Sequence, residues 1–483
     1  MRKCDVLIVG TGCAGLYCAL NLPRDKKIIM LTKAKVEECD SYLAQGGICV
    51  QHDENDFEPF MEDTLKAGHY ENTRESVEIM ISHSRDTIND LLDYGVRFCR
   101  DKNGELKYTR EGGHGKHRIL HHKDITGEEI TSTLYARVKE LDNVEIMEHT
   151  TMVDLIALDG EAGVDERAKR FPEGTLAAKA AAKEFLRHKT GECFGVVIRK
   201  EDGSLDAIYA DCTVLATGGV GGLYRYSTNY RHLTGDGVAL ALRHGIATRD
   251  VDYVQIHPTT FYSENIEDRS FLISESVRGE GAKLYNKNME RFVNELIPRD
   301  KLTAAIREQM AKDGTEHVWE DMRTIPADEL VSHFPNILDY CKEHGFDATK
   351  ECIPVVPAQH YFMGGVKVDK NSQTSMERLY AIGETACNGV HGKNRLASNS
   401  LLESLVFGKV AAQDLIKYEP LDMDEDFEDS METKVKTKTN KDGQVVVTRE
   451  FTYLIPDYSK YEDIEKWNEE NHQLVLDEIN RRN

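Results

Sequence analysis

The first thirty residues constrain the fold more than any other stretch of the chain. Asp5-Val6-Leu7-Ile8-Val9 is a short apolar run rich in β-branched side chains that stops at Gly10, the pattern of a strand buried on both faces of a parallel sheet. Gly10-Thr11-Gly12-Cys13-Ala14-Gly15 follows at once, a helical stretch runs from Ala14 to Leu22 and Pro23 ends it, and Ile28-Ile29-Met30-Leu31 supplies a second strand. Strand, glycine turn, helix and strand make a βαβ unit.

In that context the GxGxxG turn has a steric and electrostatic meaning. Gly10 permits the tight turn, Gly12 lets the backbone approach a pyrophosphate at the helix N-terminus, and Gly15 allows the helix to pack closely. Dinucleotide binding is therefore expected at Gly10, Thr11, Gly12, Cys13, Ala14 and Gly15. The acid that usually holds a ribose about 20 residues further on is absent, because the second strand ends Leu31-Thr32-Lys33. This weighs against a plain NAD dehydrogenase. It leaves Lys33 to meet the adenosine half of a larger dinucleotide such as FAD.

Two later runs, Asp211 to Gly219 and Leu379 to Glu384, repeat the strand-then-glycine pattern. They predict one sheet assembled from distant parts of the chain, with another domain inserted before its last strand. The expected fold is α/β: a Rossmann-like dinucleotide-binding domain over 1–250 and 355–417, an inserted domain over 251–354, and a short C-terminal extension over 418–483. Strands at Val153–Leu158 and Phe194–Arg199 should flank a surface insertion at 160–190, where Leu176 to Lys189 has high helix propensity. Past residue 418, Asp422 to Asp429 is acidic or polar, a hairpin is expected around Asp442-Gly443, and a charged helix from about Ser459 to Arg482.

Charge narrows the partners. With 61 Lys and Arg against 84 Asp and Glu, the net charge is −23, which argues against nucleic acid, since phosphate binding depends on clustered cations. Any anionic ligand must meet a local basic pocket. No run approaches the ~18 unbroken apolar residues of a spanning helix, and the five-residue apolar run before Gly10 is too short for a signal peptide. Eleven scattered cysteines without a CxxC pair suggest reduced thiols rather than a disulfide framework or metal site. The expected compartment is cytoplasmic, with no metal and no membrane partner.

The glycine turn is followed, in order, by Ser41-Tyr42-Leu43-Ala44-Gln45-Gly46-Gly47, Ala216-Thr217-Gly218-Gly219, Thr234-Gly235-Asp236-Gly237, Gln255-Ile256-His257-Pro258-Thr259 and Arg278-Gly279-Glu280-Gly281-Ala282. Pro298-Arg299-Asp300, His360 to Gly365, Ala381-Ile382-Gly383-Glu384 and Asn394-Arg395-Leu396-Ala397-Ser398-Asn399-Ser400-Leu401 complete the series. The chain from residue 1 to about 415 thereby resembles the fumarate reductase and succinate dehydrogenase flavoprotein superfamily. Thr109-Arg110-Glu111-Gly112-Gly113-His114, Arg118 to His121 and Asp124-Ile125-Thr126-Gly127 are most similar to its L-aspartate oxidase branch. Respiratory members usually carry a histidine that binds FAD covalently just before the AQGG-like segment. Asp40 stands there, so the resemblance implies dissociable FAD.

The resemblance further implies that 1–250 with 355–417 is a Rossmann-like FAD-binding domain of the GR2 type, that the insert over 251–354 is an α+β capping domain and that 418–483 is a divergent extension. It implies FAD-dependent oxidation of L-aspartate to iminoaspartate, with O2 or fumarate as the second oxidant, as the first step of NAD biosynthesis. It leaves quinolinate synthase as a candidate partner. Holding a four-carbon diacid needs two cationic anchors, and Arg299 and Arg395 suit that role while His257 and His360 supply hydrogen bonds. Gln255, Thr259 and Ser274 are expected to assist, and Glu111 to pair with the ammonium that succinate lacks. Because a guanidinium is effectively never deprotonated, Arg299 reads as a clamp or acid more readily than as a base. The FAD contacts implied by the resemblance extend over Asp40 to Gly47, Met152, Val153, Asp236 and Glu384. Ser400 and Leu401 should offer backbone groups to the flavin from a helix start capped by Ser398 or Asn399. Two alternatives remain open at this point: a soluble fumarate reductase or succinate-oxidising flavoprotein, and a flavin-binding interaction protein without catalysis.

Overall fold

A computed structural model describes residues 2–159, 191–264, 269–420, 435–439, 445–449 and 456–482. The expected opening unit forms with strands Arg2–Val9 and Ile28–Leu31 around helix Cys13–Asn21. Alternate residues of the first strand feed opposite cores: Val6 and Ile8 pack on one face of the sheet, Leu7 and Val9 on the other. That is the period-2 geometry of a strand covered on both sides.

The central sheet runs in the order Val144–Met147, Ile28–Leu31, Arg2–Val9, Leu205–Leu215, Gly191–Arg199 and Thr151–Asp159. Leu379–Ala381 joins it, parallel to the last residues of Leu205–Leu215. The three segments singled out by their strand-then-glycine pattern are thus neighbours in one sheet. The hairpin-like pair Thr151–Asp159 and Gly191–Arg199 is antiparallel and flanks the 160–190 insertion, whose helix-prone stretch lies outside the described residues, as does the acidic run Asp422 to Asp429. Strands Val435–Thr439 and Val445–Arg449 pair antiparallel on either side of Asp442-Gly443.

Helix Cys13–Asn21 is buried from Cys13 to Leu20, as befits a helix lodged between a sheet and another helix. Its partner is Asn399–Leu415, and Gly408 allows the close approach, since a Cβ there would stand 2.8 Å from the carbonyl oxygen of Ala14. Truncating a core residue such as fully buried Leu16 to Ala would cost about 2–5 kcal/mol.

A second sheet, ordered Val254–Phe261, Ile353–Phe362, Val318–Asp321 and Lys283–Tyr285, is antiparallel throughout. It has its own core between Phe261 and Val355, with helices Arg299–Asp313, Ala327–His333 and Pro335–Glu343 beside it. Its two long strands carry Gln255, His257 and His360. The charged helix is Ile464–Arg482, preceded by a short 3-10 turn at Tyr458–Tyr461.

Candidate active site

One cavity of about 510 Å³ runs from the glycine turn to the second sheet. At one end lie Gly10, Thr11, Gly12, Cys13, Ala14, Lys33, Met152 and Asp236; at the other are His257, Arg299, His360 and Arg395. Gly10 sits at φ +117°, and a Cβ there would fall 2.0 Å from the carbonyl oxygen of Ala216, so only glycine fits. Gly15 lies off the cavity and serves packing, since its Cβ would be 2.2 Å from the oxygen of Gly10.

The segment Asp40 to Gly47 forms one wall and is held from behind by the Asp124-Ile125-Thr126-Gly127 stretch. Thr126 Oγ1 donates to the Gly46 carbonyl at 2.6 Å and the Gly127 amide to Ala44 at 2.8 Å. Asp124 reaches the other way and caps the helix Pro335–Glu343, accepting from the Asn336 amide at 3.1 Å, its side chain at 2.8 Å and the Ile337 amide at 3.2 Å. Sequence reasoning used these four residues only as a signature.

The cationic end is built from three separate segments. Arg299 opens helix Arg299–Asp313; its Nε donates to Glu275 at 2.6 Å and its Nη1 to Gln255 Oε1 at 2.9 Å. Arg395 donates through Nε to the same Gln255 oxygen at 3.3 Å and through Nη1 to Ser400 Oγ, while its guanidinium lies 4.3 Å from the Tyr361 ring centroid, a cation–π contact. Burial, then the charge of Arg299, pushes the Arg395 guanidinium down to about 10, still cationic at neutral pH. The carboxyl of Glu275 is buried, yet Arg299 and Arg278 hold it below the usual range.

His257 and His360 lie ring to ring with centroids 5.1 Å apart. His257 Nδ1 is 2.9 Å from the Thr259 carbonyl oxygen, and His360 Nδ1 is 2.8 Å from Thr228 Oγ1. Burial drives both imidazoles well below their ordinary range, aided by Arg299 at His257 and by Arg395 at His360. They are neutral at pH 7 and add hydrogen bonds without adding charge.

Glu111 also lines this end. Its two oxygens accept separate hydroxyls, Ser276 Oγ and Ser398 Oγ, each at 2.6 Å. Ser398 thereby departs from its expected role. It sits in left-handed backbone geometry before helix Asn399–Leu415 and makes no side-chain cap, because its hydroxyl is committed to Glu111 and to the Gly47 amide at 3.2 Å. Ser274 lines the cavity while capping the short helix Glu275–Gly279. Gln255, Thr259 and Val153 do not line it: Gln255 braces the two arginines, Thr259 backs His257, and Val153 faces a neighbouring core. Glu275, Ser276, Thr228 and Tyr361 join the site without having been assigned roles from sequence; only Tyr361 fell within a quoted motif.

The donor set fits a flavin dinucleotide. Thr11 Oγ1, Asp40 Oδ2 and Gln45 Oε1 are buried without a hydrogen-bond partner among the described residues, all on the cavity wall. Glu384 accepts from the Phe362 amide at 2.8 Å, and burial together with nearby Asp40 raises its carboxyl. Ser400 and Leu401, at the start of helix Asn399–Leu415, line the same cavity, Ser400 beside Arg395.

Residues 5–401 match the family described as FAD binding domain. An L-aspartate oxidase of Clostridium perfringens is 48% identical over 417 residues, 86% of this chain and 88% of the relative. Its counterpart in Pseudomonas aeruginosa is 39% identical, covering 86% and 75%. The chain belongs to the L-aspartate oxidase family. It is a FAD-dependent oxidoreductase of the fumarate reductase and succinate dehydrogenase flavoprotein superfamily. The FrdA chain of E. coli quinol fumarate reductase superposes with a TM-score of 0.75 at 29% identity, over 86% of this chain and 70% of that one. No described helix is long and apolar enough to cross a membrane.

Proposed function

We propose that this cavity oxidises L-aspartate to iminoaspartate, the substrate lying between the FAD-binding wall and the second sheet. The bound FAD would supply the two-electron acceptor, taking hydride from the substrate Cα at N5 and passing the electrons to O2, with H2O2 formed, or to fumarate, with succinate formed. The observation that carries this reading is the pair Arg299 and Arg395, two buried cations on one wall of a cavity inside a protein of net charge −23.

In this reading each guanidinium takes one carboxylate of the substrate, so that binding is spent on orientation of the reacting carbon. His257 and His360 contribute hydrogen bonds. Glu111, fixed by the Ser276 and Ser398 hydroxyls, meets the ammonium. Arg299 acts as clamp and, in the direction of fumarate reduction, as proton donor; in aspartate oxidation the amine proton leaves to water. FAD is held without a covalent bond, since Asp40 offers no ring nitrogen to the flavin. Residues 1–250 with 355–417 act as the FAD-binding domain, 251–354 as its cap and 418–483 as an extension.

Anaerobic mixing of the flavin-loaded protein with L-aspartate, D-aspartate and succinate tests the reading. Bleaching of the flavin by L-aspartate well ahead of the other two is expected. Preferential bleaching by succinate would favour a fumarate reductase, and none with any substrate would sink the oxidase assignment.

A further inference from the structure

The last helix of the chain, Ile464–Arg482, lies beyond the stretch that matches the FAD-binding family, yet it packs against the back of the cavity wall. Val475 and Ile479 are buried with Val220, Val238 and Ala239. Val475 Cγ1 stands 3.4 Å from where a Cβ on Gly235 would lie. Gly235 precedes helix Asp236–Arg243, whose first residue pairs with Lys33 at 2.5 Å in the cavity.

A second contact reaches the same end of the cavity from another element. Strand Thr151–Asp159 carries a bulge, for its pairing skips from Met152 to Asp154 and leaves Val153 unmatched. A bulge strands backbone polar groups and re-aims its neighbours, and here Met152 points into the cavity. The stranded Val153 carbonyl accepts the Trp467 indole N–H at 3.1 Å. Trp467 also lies under the Arg243 guanidinium, 3.9 Å from carbon to ring centroid, and edge-on to Tyr461 at 5.1 Å. Tyr461 donates to Asp154 Oδ2 at 2.6 Å, and His244 Nε2 meets Asp154 Oδ1 at 2.8 Å. One helix and its preceding turn therefore tie the bulge to the end of Asp236–Arg243.

We propose that Trp467, Tyr461 and Val475 are positioning residues that clasp the two cavity walls formed by Met152 and by Lys33 with Asp236, so that the last helix governs how tightly FAD is retained. None of the three lines the cavity. The clasp acts through the bulge and the helix and leaves the Arg299 and Arg395 end untouched. It rests on the adenosine half of FAD lying at this end, where the glycine turn and the first two strands finish.

The test uses the full chain loaded with FAD and measures flavin dissociation by the recovery of free-flavin fluorescence. Trp467→Ala should weaken FAD binding about tenfold, the size expected when a partly buried hydrogen bond and a stacked cation are lost together. Trp467→Phe keeps the ring and removes only the N–H, so about a threefold loss is expected; this variant keeps the proposal falsifiable if the alanine protein does not fold. Turnover at saturating FAD should match the parent, and the rise in melting temperature on adding FAD should shrink. Unchanged FAD affinity in both variants overturns the clasp, as does a lower melting temperature of the flavin-free protein with affinity unaltered. Lys33→Met serves as the control on placement: if it leaves FAD affinity unchanged, the adenosine half lies elsewhere, a separate failure from that of the clasp.

Discussion

Arg299 and Arg395, nearly a hundred residues apart in sequence, hydrogen-bond to one and the same oxygen, the side-chain carbonyl of Gln255, at 2.9 and 3.3 Å. Two buried guanidiniums would repel; Gln255 gives both a shared neutral acceptor, while the Glu275 carboxylate compensates Arg299 alone and leaves Arg395 without an acidic partner at that oxygen. The Gln255 amide nitrogen is fixed in turn by Asn394 Oδ1 and the Arg395 carbonyl, both at 2.9 Å.

Replacing this carboxamide by a carboxylate changes both the charge between the arginines and the hydrogen bonds that hold it there. Gln255→Glu places an anion between the arginines and competes with the substrate's carboxylates, so KM for L-aspartate should rise about tenfold or more, corresponding to about 1.4 kcal/mol. The same charge relieves the repulsion but sets a carboxylate oxygen against Asn394 Oδ1 and the Arg395 carbonyl, where the amide had donated two buried hydrogen bonds, so the melting temperature should fall or at best hold. Steady-state kinetics and calorimetry read the two effects. Parental KM in the glutamate variant would mean that the bridge does not shape the diacid site.

Glu111 should set the choice between an amino diacid and a plain one. Glu111→Gln preserves shape and one accepted hydroxyl, the other contact reversing so that the amide NH2 donates to a serine oxygen, while removing the charge opposite an ammonium. Charged hydrogen bonds contribute about 1.5–3 kcal/mol, so aspartate affinity should fall by about 10- to 100-fold while fumarate and succinate shift little. Comparable losses for all three ligands would take Glu111 out of that role.

The pH dependence follows from histidines kept neutral. Burial, the largest cause at each, lowers His257 and His360 well below 6.5 and His391 to about 3. At these three sites the unfolded chain binds more protons than the folded one between those values and 6.5, whereas at Glu384, Asp40, Glu320 and Glu403, whose carboxyls burial raises to about 7 or 8, the folded chain binds more. Stability from the three histidines is complete above pH 6.5 and is lost as the pH falls, at up to about 1.4 kcal/mol per pH unit for each histidine. Urea titrations at pH 7.5, 6.5 and 5.5 on the parent and on His391→Phe isolate one histidine's contribution as the difference between the two. The His391 imidazole lies edge-on to Tyr361 with centroids 5.3 Å apart, and in the phenylalanine variant the slope of stability against pH between 5.5 and 6.5 should be lower by about one proton; an unchanged slope would contradict a neutral His391.

The βαβ opening was readable because one local pattern, four successive apolar residues after Asp5 and then three glycines, specifies strand, turn and helix together. Local patterns fail for partners that meet only in three dimensions: nothing near Glu275 or Ser276 in the chain announces that they face Arg299 and Glu111. Ser398 illustrates the converse. Its position before a helix favours a cap, but a tertiary acceptor, Glu111, claimed its hydroxyl and the backbone turned left-handed at φ +61°. The bulge at Val153 likewise depends on the register against Gly191–Arg199, which no single strand encodes.

Arg299 should tolerate no replacement, its closest analogue included. Two of its N–H groups are taken, Nε by Glu275 and one Nη1 hydrogen by Gln255, and the remaining edge of the planar fork is what a carboxylate can meet. Lysine offers a point charge on a flexible stem and cannot hold both internal partners while presenting a flat edge. Arg299→Lys should therefore lower kcat/KM for L-aspartate by about 100-fold or more, roughly 3 kcal/mol of transition-state stabilisation, while FAD affinity stays within about twofold because Arg299 lies at the far end of the cavity from the glycine turn. Flavin titration and anaerobic reduction kinetics separate the two quantities. A lysine variant with near-parental reduction by L-aspartate would show that the fork geometry is dispensable and that charge alone suffices.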